Sequence, residues 1–554
     1  MTALAAWTRA LSNTKAAAGQ TLPGIMESLA TQYSYRTALL DTLHTLSYEA
    51  LRRRMNQYAR WATAQGLGPG DVVGLLMPNC IDYTVIWLGL TRVGCTVALL
   101  NTHVRGDALL QCIHAASARG VIVSERLPAD QYDLLAAQHT VWKFNDTALA
   151  ETEYSSAPIT LPLPRPQDCA LLIYTSGTTG LPKATRITHR RIVEWSYWFA
   201  GMMDAQPEDR LYNCLPMYHS IGGVVAIGSM LVKGGSVFIR ERFSASHFWG
   251  DVHLRECTIF QYIGELCRFL LLAEPHPLER SHRLRLACGN GLQGDVWEQF
   301  QHRFGIPRIL EFYAASEGNL SLYNCDGKPG AIGRVPAVLA GYFPIAIIRC
   351  NPETGTVLRD ANGHCVVCSH DEPGEAISRI GNGREFDGYT DPDASQRKVL
   401  RDVFVVGDRW FRSGDLMRKD ANGYFYFVDR LGDTFRWKGE NVSTTQVATV
   451  LRGCTGIVDA VVYGVAVPGH DGRAGMAAIT VDAQFDFAVL YAHLAANLPE
   501  YACPMFIRIC DSLDTTGTFK LTKTALARDG FAASADPVWR RDRATGNFQP
   551  MTVN

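Results

Sequence analysis

The sequence has almost no net charge: 53 Lys and Arg stand against 54 Asp and Glu over 554 residues, leaving −1. No global field therefore recruits nucleic acid, and a polyanionic ligand has to be met by local positive charge. The fifteen cysteines lack the spacing of a disulfide framework, which points to reduced thiols and a cytoplasmic setting. One close pair, Cys365 and Cys368, lies between His364 and His370. Zinc would use such ligands, but strand alternation before the turn at Glu372, Pro373 and Gly374 explains the same spacing. A secretory signal is not expected, because the N-terminus lacks a basic start followed by an apolar core. That segment can form an amphipathic helix with Leu4, Trp7 and Leu11 on one side, or remain a surface segment. No run is a convincing membrane span. The longest candidate, residues 83–100, contains Gly89, Arg92 and Gly94 and reads as a buried helix followed by a strand over 96–100. No internal repeat is present.

What is there reads as α/β throughout. Hydrophobic residues make up 47% of the chain, enough for several large cores. Residues 48–65 are helix-like, 66–71 (GLGPGD) form a turn cluster, and 72–77 are strand-like. Strands alternating with helices predict a doubly wound sheet. A proline-rich stretch, 158–166, reads as a linker. The TG, NG and PGE turns over 351–388 predict a β-rich subdomain. From Asp429 the text changes to a small α/β segment ending near Gly530. The expected organisation is a large N-terminal domain, 1–429, with doubly wound sheets and the β-rich subdomain. A small, mobile C-terminal α/β domain, 430–554, follows it.

The most informative string is residues 174–183, YTSGTTGLPK. Thr175, Ser176, Thr178 and Thr179 supply hydroxyls, Gly177 and Gly180 let the backbone approach a ligand, and Lys183 adds charge. That combination suits a phosphate cradle. An ordinary surface loop is the alternative. In EFYAASEGN, 311–319, Tyr313 can stack on a purine and Glu317 can hold Mg²⁺. Taken singly, such residues are usually just a strand end. In SGDL, 413–416, Asp415 can accept both hydroxyls of a ribose, or be an ordinary turn aspartate.

The first string resembles the phosphate loop of AMP-forming adenylating enzymes: acyl-CoA synthetases, peptide-synthetase adenylation domains and luciferases. The other strings follow in that superfamily's order. Its usual spelling has Gly and Thr where this chain has Ala314 and Ser316. By this resemblance Arg430 joins Asp415 at the ribose, and Gly432 is the hinge between the two domains. Glycine suits a hinge because it absorbs large φ/ψ changes. The WKGEN loop, with Lys438, Gly439 and Glu440, faces the CoA side. One lysine in TTGTFKLTK, 515–523, serves adenylation: Lys520, with Lys523 as the alternative.

Further strings narrow the resemblance: QYIGELCRFLL (261–271), ACGNGLQGDVW (287–297), GKPGAIGR (327–334) and GDTFRWKGENVST (432–444). Together they resemble the fatty acid transport protein/very-long-chain acyl-CoA synthetase family over roughly residues 47–530. The resemblance implies ATP-binding at Thr175 to Gly180, Lys183, Gly289, Asn290, Gly291, Tyr313, Ser316, Asp415 and Arg430. It implies a metal at Glu317, catalytic roles for Lys520, Glu317 and Thr178, and an acyl site near His219, Tyr262 and Gly264. The implied reaction joins an apolar carboxylic acid to ATP, giving acyl-AMP, and then to CoA, with ATP, Mg²⁺ and CoA as co-substrates. Long and very long fatty acids are the expected acids, with bile-acid or steroid side-chain acids as the rival. A carrier-protein acceptor and a non-catalytic uptake or binding role remain open. Residues 221–232 either line an acyl channel or only pack the sheet. The expected location is cytoplasmic, with peripheral contact at the inner face of a membrane as an option. Oligomeric state is not read from the sequence.

Overall fold

The structure is a computed structural model. It describes residues 2–144, 154–175, 183–315, 317–318, 320–352, 354–381, 385–438, 440–468, 470, 472–515, 521–531, 536–542 and 544–551. The chain forms two compact units: residues 1–341 with 380–399, and residues 342–379 with 400–554.

The first unit is built on two sheets. One runs, in spatial order, Thr140–Phe144, Gly120–Ser124, Val72–Leu76, Thr96–Leu99, Cys169–Thr175 and Lys183–Thr188. Its first five strands are parallel, and the last turns back antiparallel. The strand Cys169–Thr175 ends in the first two residues of the 174–183 string, and Lys183, its last residue, opens the edge strand. The helix Tyr48–Ala64 starts where Ser47 accepts the Ala50 N–H at 3.1 Å, an N-cap. The helix Ile81–Arg92 is buried all round, so its apolar run packs inside the unit. Among the described residues no helix is long and apolar enough to cross a membrane.

The second sheet has a parallel core ordered Ile309–Ala314, Leu286–Asn290, Ile259–Ile263, Arg210–Asn213, Ser236–Ile239 and Thr37–Leu40. Parallel strands place their C-terminal ends on one edge, where ligands of open α/β sheets bind. The stretch 221–232 is a π-helical turn, Ile221–Val225, running into the helix Ala226–Leu231. The Asn213 side chain donates to the Gly222 carbonyl at 2.9 Å, tying the π turn to the strand before it.

The N-terminal segment is the helix Ala3–Ala16, and its inward face is not the expected one. Ala3, Ala6, Trp7 and Ala10 are buried, while Leu4 is exposed. Trp7 meets Trp198 edge-on at 5.5 Å, so this face is spent on packing against the helix His189–Met203.

The second unit holds the antiparallel strands Ile345–Ile348, Gly374–Arg379, Arg409–Lys419 and Phe425–Arg430, each beside the next. It also holds a sheet ordered Ile457–Ala466, Arg473–Val481, Phe506–Ile509, Val538–Asp542 and Asn547–Pro550. The last two strands lie beyond Gly530, where the sequence reading ended the α/β segment. Cys365 and Cys368 lie in a bridged loop: Cys365 pairs with Arg359, and the Cys368 thiol donates to the Pro373 carbonyl at 3.7 Å.

Candidate active site

Three neighbouring strand ends of the second sheet gather Tyr262, Gly264, Gly289, Asn290, Gly291 and Tyr313. The residue that joins them is Glu311, which the sequence reading passed over. Its Oε1 accepts the Gly291 N–H at 2.5 Å and the Leu292 N–H at 3.1 Å. Its Oε2 accepts the Tyr262 hydroxyl at 2.6 Å. Burial pushes the Glu311 carboxyl up to about 8, against the pull of these three donors. Burial also raises the Tyr262 hydroxyl, and the neighbouring carboxyl adds to it. Tyr262 is thus fully buried behind the site. Gly264 is required by space: a Cβ there would collide with the Gly291 carbonyl. The signal for Glu311 was available, as the one acid in the apolar run ILEFYA.

A second group surrounds Glu317. Its carboxylate accepts the Tyr389 hydroxyl at 3.0 Å and has Lys398 at 3.7 Å. Below it, the buried Arg191 guanidinium donates to the Glu317 carbonyl at 3.2 Å and to the Gly318 carbonyl. Burial lowers the Arg191 guanidinium, and the Asp387 carboxylate at 3.6 Å counters it. Asp387 also binds Arg190 and the Thr188 hydroxyl, both at 3.2 Å. None of Arg191, Asp387, Tyr389 or Lys398 carried a sequence signal; only folding brings them to Glu317. His219 sits on the loop before the π turn, with its ring 4.6 Å from that of Tyr218. Lys183 opens the antiparallel return strand, opposite Thr175.

In the second unit, Asp415 and Arg430 face each other across antiparallel strands, with Arg430 Nε 3.7 Å from Asp415 Oδ1. The strand of Asp415 is anchored by an ion pair between the buried Glu375 and the partly exposed Arg412. Gly432 has φ +84° with open space around it. Asp429 caps the helix Thr444–Arg452, accepting the Thr444 N–H at 2.7 Å. Lys523 is engaged beside Gly432: its Nζ lies 2.9 Å from Asp433 and donates to the Thr444 hydroxyl at 3.1 Å. Lys438 takes a left-handed conformation, φ +53°, and Glu440 is paired with Trp437. Ser176, Gly177, Thr178, Thr179, Gly180, Ser316, Gly439, Lys520 and the side chain of Thr175 lie outside the described residues.

Two family descriptions match the chain: AMP-binding enzyme over residues 26–377, and AMP-binding enzyme C-terminal domain over residues 446–520. Long-chain fatty acid transport protein 1 of Mus musculus is 39% identical over 96% of this chain and 86% of its own length. The medium/long-chain-fatty-acid–CoA ligase FadD6 of Mycobacterium tuberculosis is 38% identical over 95% of this chain and 88% of its own. Among solved structures, ATP-bound MatB from Rhodopseudomonas palustris has a TM-score of 0.78 at 23% identity. That match covers 92% of this chain and 99% of the other, and it shows a shared fold.

Proposed function

The chain belongs to the AMP-binding enzyme family, and on that premise we propose that it is an ATP-dependent, AMP-forming fatty acid–CoA ligase. The observation that carries this reading is the near full-length likeness to a fatty-acid–CoA ligase, 38% over 95% of the chain. In the first step a long-chain carboxylate attacks the α-phosphorus of ATP, giving acyl-AMP and pyrophosphate. Like charges oppose that approach. The 174–183 loop and Lys520 would offset the repulsion, and Asp415 with Arg430 would hold the ribose. Glu317 fits Mg²⁺, since its carboxylate is oriented by Tyr389 and keeps 14% of its side chain exposed. Such an ion takes one or two carboxylates and leaves the rest of its shell to water and phosphate oxygens. Bound there, it would neutralise charge on the transferring phosphate.

In the second step CoA thiolate attacks the mixed anhydride and AMP leaves. Gly432 would be the hinge between 1–429 and 430–554, with Lys438, Gly439 and Glu440 on the CoA side. Lys520 is the adenylation lysine of this reading. Lys523 supports the choice, because its ammonium is already committed to Asp433 and Thr444. A cytoplasmic enzyme drawing its acid from the inner face of a membrane suits a substrate that partitions into lipid.

A panel of carboxylic acids, assayed with and without CoA, tests the reading. AMP and pyrophosphate are expected with long-chain acids, and a thioester once CoA is added; ADP in place of AMP would sink it. Lys520→Ala should slow adenylation by about 3–4 kcal/mol in barrier while sparing thioester formation from supplied acyl-AMP.

A further inference from the structure

One carboxyl ties together two parts of the site that bind different substrates. Gly291 and Leu292, held by Glu311 Oε1, belong to the turn assigned to the nucleotide. Tyr262, held by Oε2, belongs to the strand end assigned to the acid. The three strands meet in parallel register, with Tyr262 opposite Gly289 and Gly289 opposite Glu311. Glu311 is 1% exposed, and among the described residues no cation pairs with it. An unpaired acid in an apolar strand lowers stability. Such violations of local rules are characteristic of functional sites.

We propose that Glu311 is a positioning residue that couples the two substrate subsites, fixing the Gly291–Leu292 turn with one oxygen and the Tyr262 side chain with the other. The proposal rests on the ligase reading above. It separates the two oxygens by ligand. Losing the Tyr262 hydroxyl frees only the acid side. Losing the carboxyl frees both sides and strands two backbone donors. Glutamine keeps the shape: its carbonyl can accept both N–H groups, and its amide can donate to the tyrosine oxygen.

The test uses the full-length protein, with Kd for AMP by calorimetry and Kd for palmitate by displacement of a fluorescent fatty acid. KM for ATP and for the acid, and kcat, are measured alongside. Glu311→Leu should weaken AMP and palmitate each by about tenfold, the scale of one lost hydrogen bond in a buried site. Tyr262→Phe should weaken palmitate alone, and Glu311→Gln should stay within about threefold of wild type for both. The KM values should follow the Kd values, with kcat at saturation little changed. A folded Glu311→Leu protein that binds both ligands as wild type does would overturn the proposal. So would a Glu311→Gln protein as impaired as Glu311→Leu. If Glu311→Leu does not fold, Tyr262→Phe decides: a selective palmitate defect supports the coupling, and equal defects, or none, overturn it. Wild-type protein that binds neither AMP nor palmitate would overturn the ligase reading as well.

Discussion

Glu311 and Glu375 are both acids on strands, 1% and 0% exposed, yet the two units accommodate them in opposite ways. In the first unit, among the described residues, Glu311 meets two backbone N–H groups and a phenol but no counter-ion, and burial drives its carboxyl toward the neutral form. In the second unit Glu375 meets the Arg412 guanidinium, with Nε at 3.0 Å and Nη2 at 2.5 Å from Oε2. Burial works against the Arg412 charge, but the paired carboxylate outweighs it and raises the guanidinium. The same guanidinium donates to the Gly355 carbonyl at 2.6 Å, and the Gly414 N–H reaches Glu375 at 3.3 Å. Arg412 immediately precedes the string that carries Asp415 and Gly414 lies within it, so the ion pair fixes that strand. Among the described residues the Glu311 carboxyl has no such partner, and it is sensitive to whether it carries a proton. A buried acid is therefore either paired for permanence or held by neutral donors, and the second choice leaves its charge state open.

The comparison can be broken most forcefully at Arg412. Arg412→Leu leaves Glu375 buried without its counter-ion and should cost about 3–5 kcal/mol in urea unfolding. The double replacement with Glu375→Met should recover most of that loss, whereas recovery of none would mean the guanidinium matters mainly through Gly355. Next comes the pH response of Glu311. The folded carboxyl titrates at about 8 and the ordinary value is 4.5. Between the two, the unfolded chain has released a proton that the folded chain retains, so stability falls as pH rises through that window. The slope from this group is at most about 1.4 kcal/mol per pH unit. Glu311→Gln should flatten it, and an unchanged slope in the variant would assign the effect elsewhere. The buried thiols of Cys267 and Cys288 face the same carboxyl and are themselves pushed up by burial.

A steric change should act on the first unit alone. Gly264→Ala drives a methyl into the Gly291 carbonyl, so about 2–3 kcal/mol of stability should be lost, with the 289–292 turn displaced. A thermal melt indistinguishable from wild type would show that the turn yields freely. The smallest effect is expected from Tyr262→Phe, about 1 kcal/mol at neutral pH, because Glu311 keeps its two backbone donors. Calorimetric melting should resolve it, and a loss as large as that of Arg412→Leu would remove the distinction between the two acids.

Local chemistry was readable wherever it lay within one short string. The alternation of strands and helices announces α/β sheets, and Tyr313, Glu317, Asp415 and Arg430 are proposed from their own motifs. The N-terminal face was not readable, because Leu4, Trp7 and Leu11 say nothing of the Trp198 ring waiting on another helix. Strands Val538–Asp542 and Asn547–Pro550 were missed because the motif set ends before them. By itself, then, the sequence determined the fold class and the family, and it proposed the site residues from strings only a few positions long. Only the tertiary structure decided which residues support them. Glu311 reaches Tyr262 across 49 positions, Glu375 reaches Arg412 across 37, and Tyr389 reaches Glu317 across 72. Those contacts are made by strand pairing and crossing chains, and nothing local in the chain encodes who will be the neighbour.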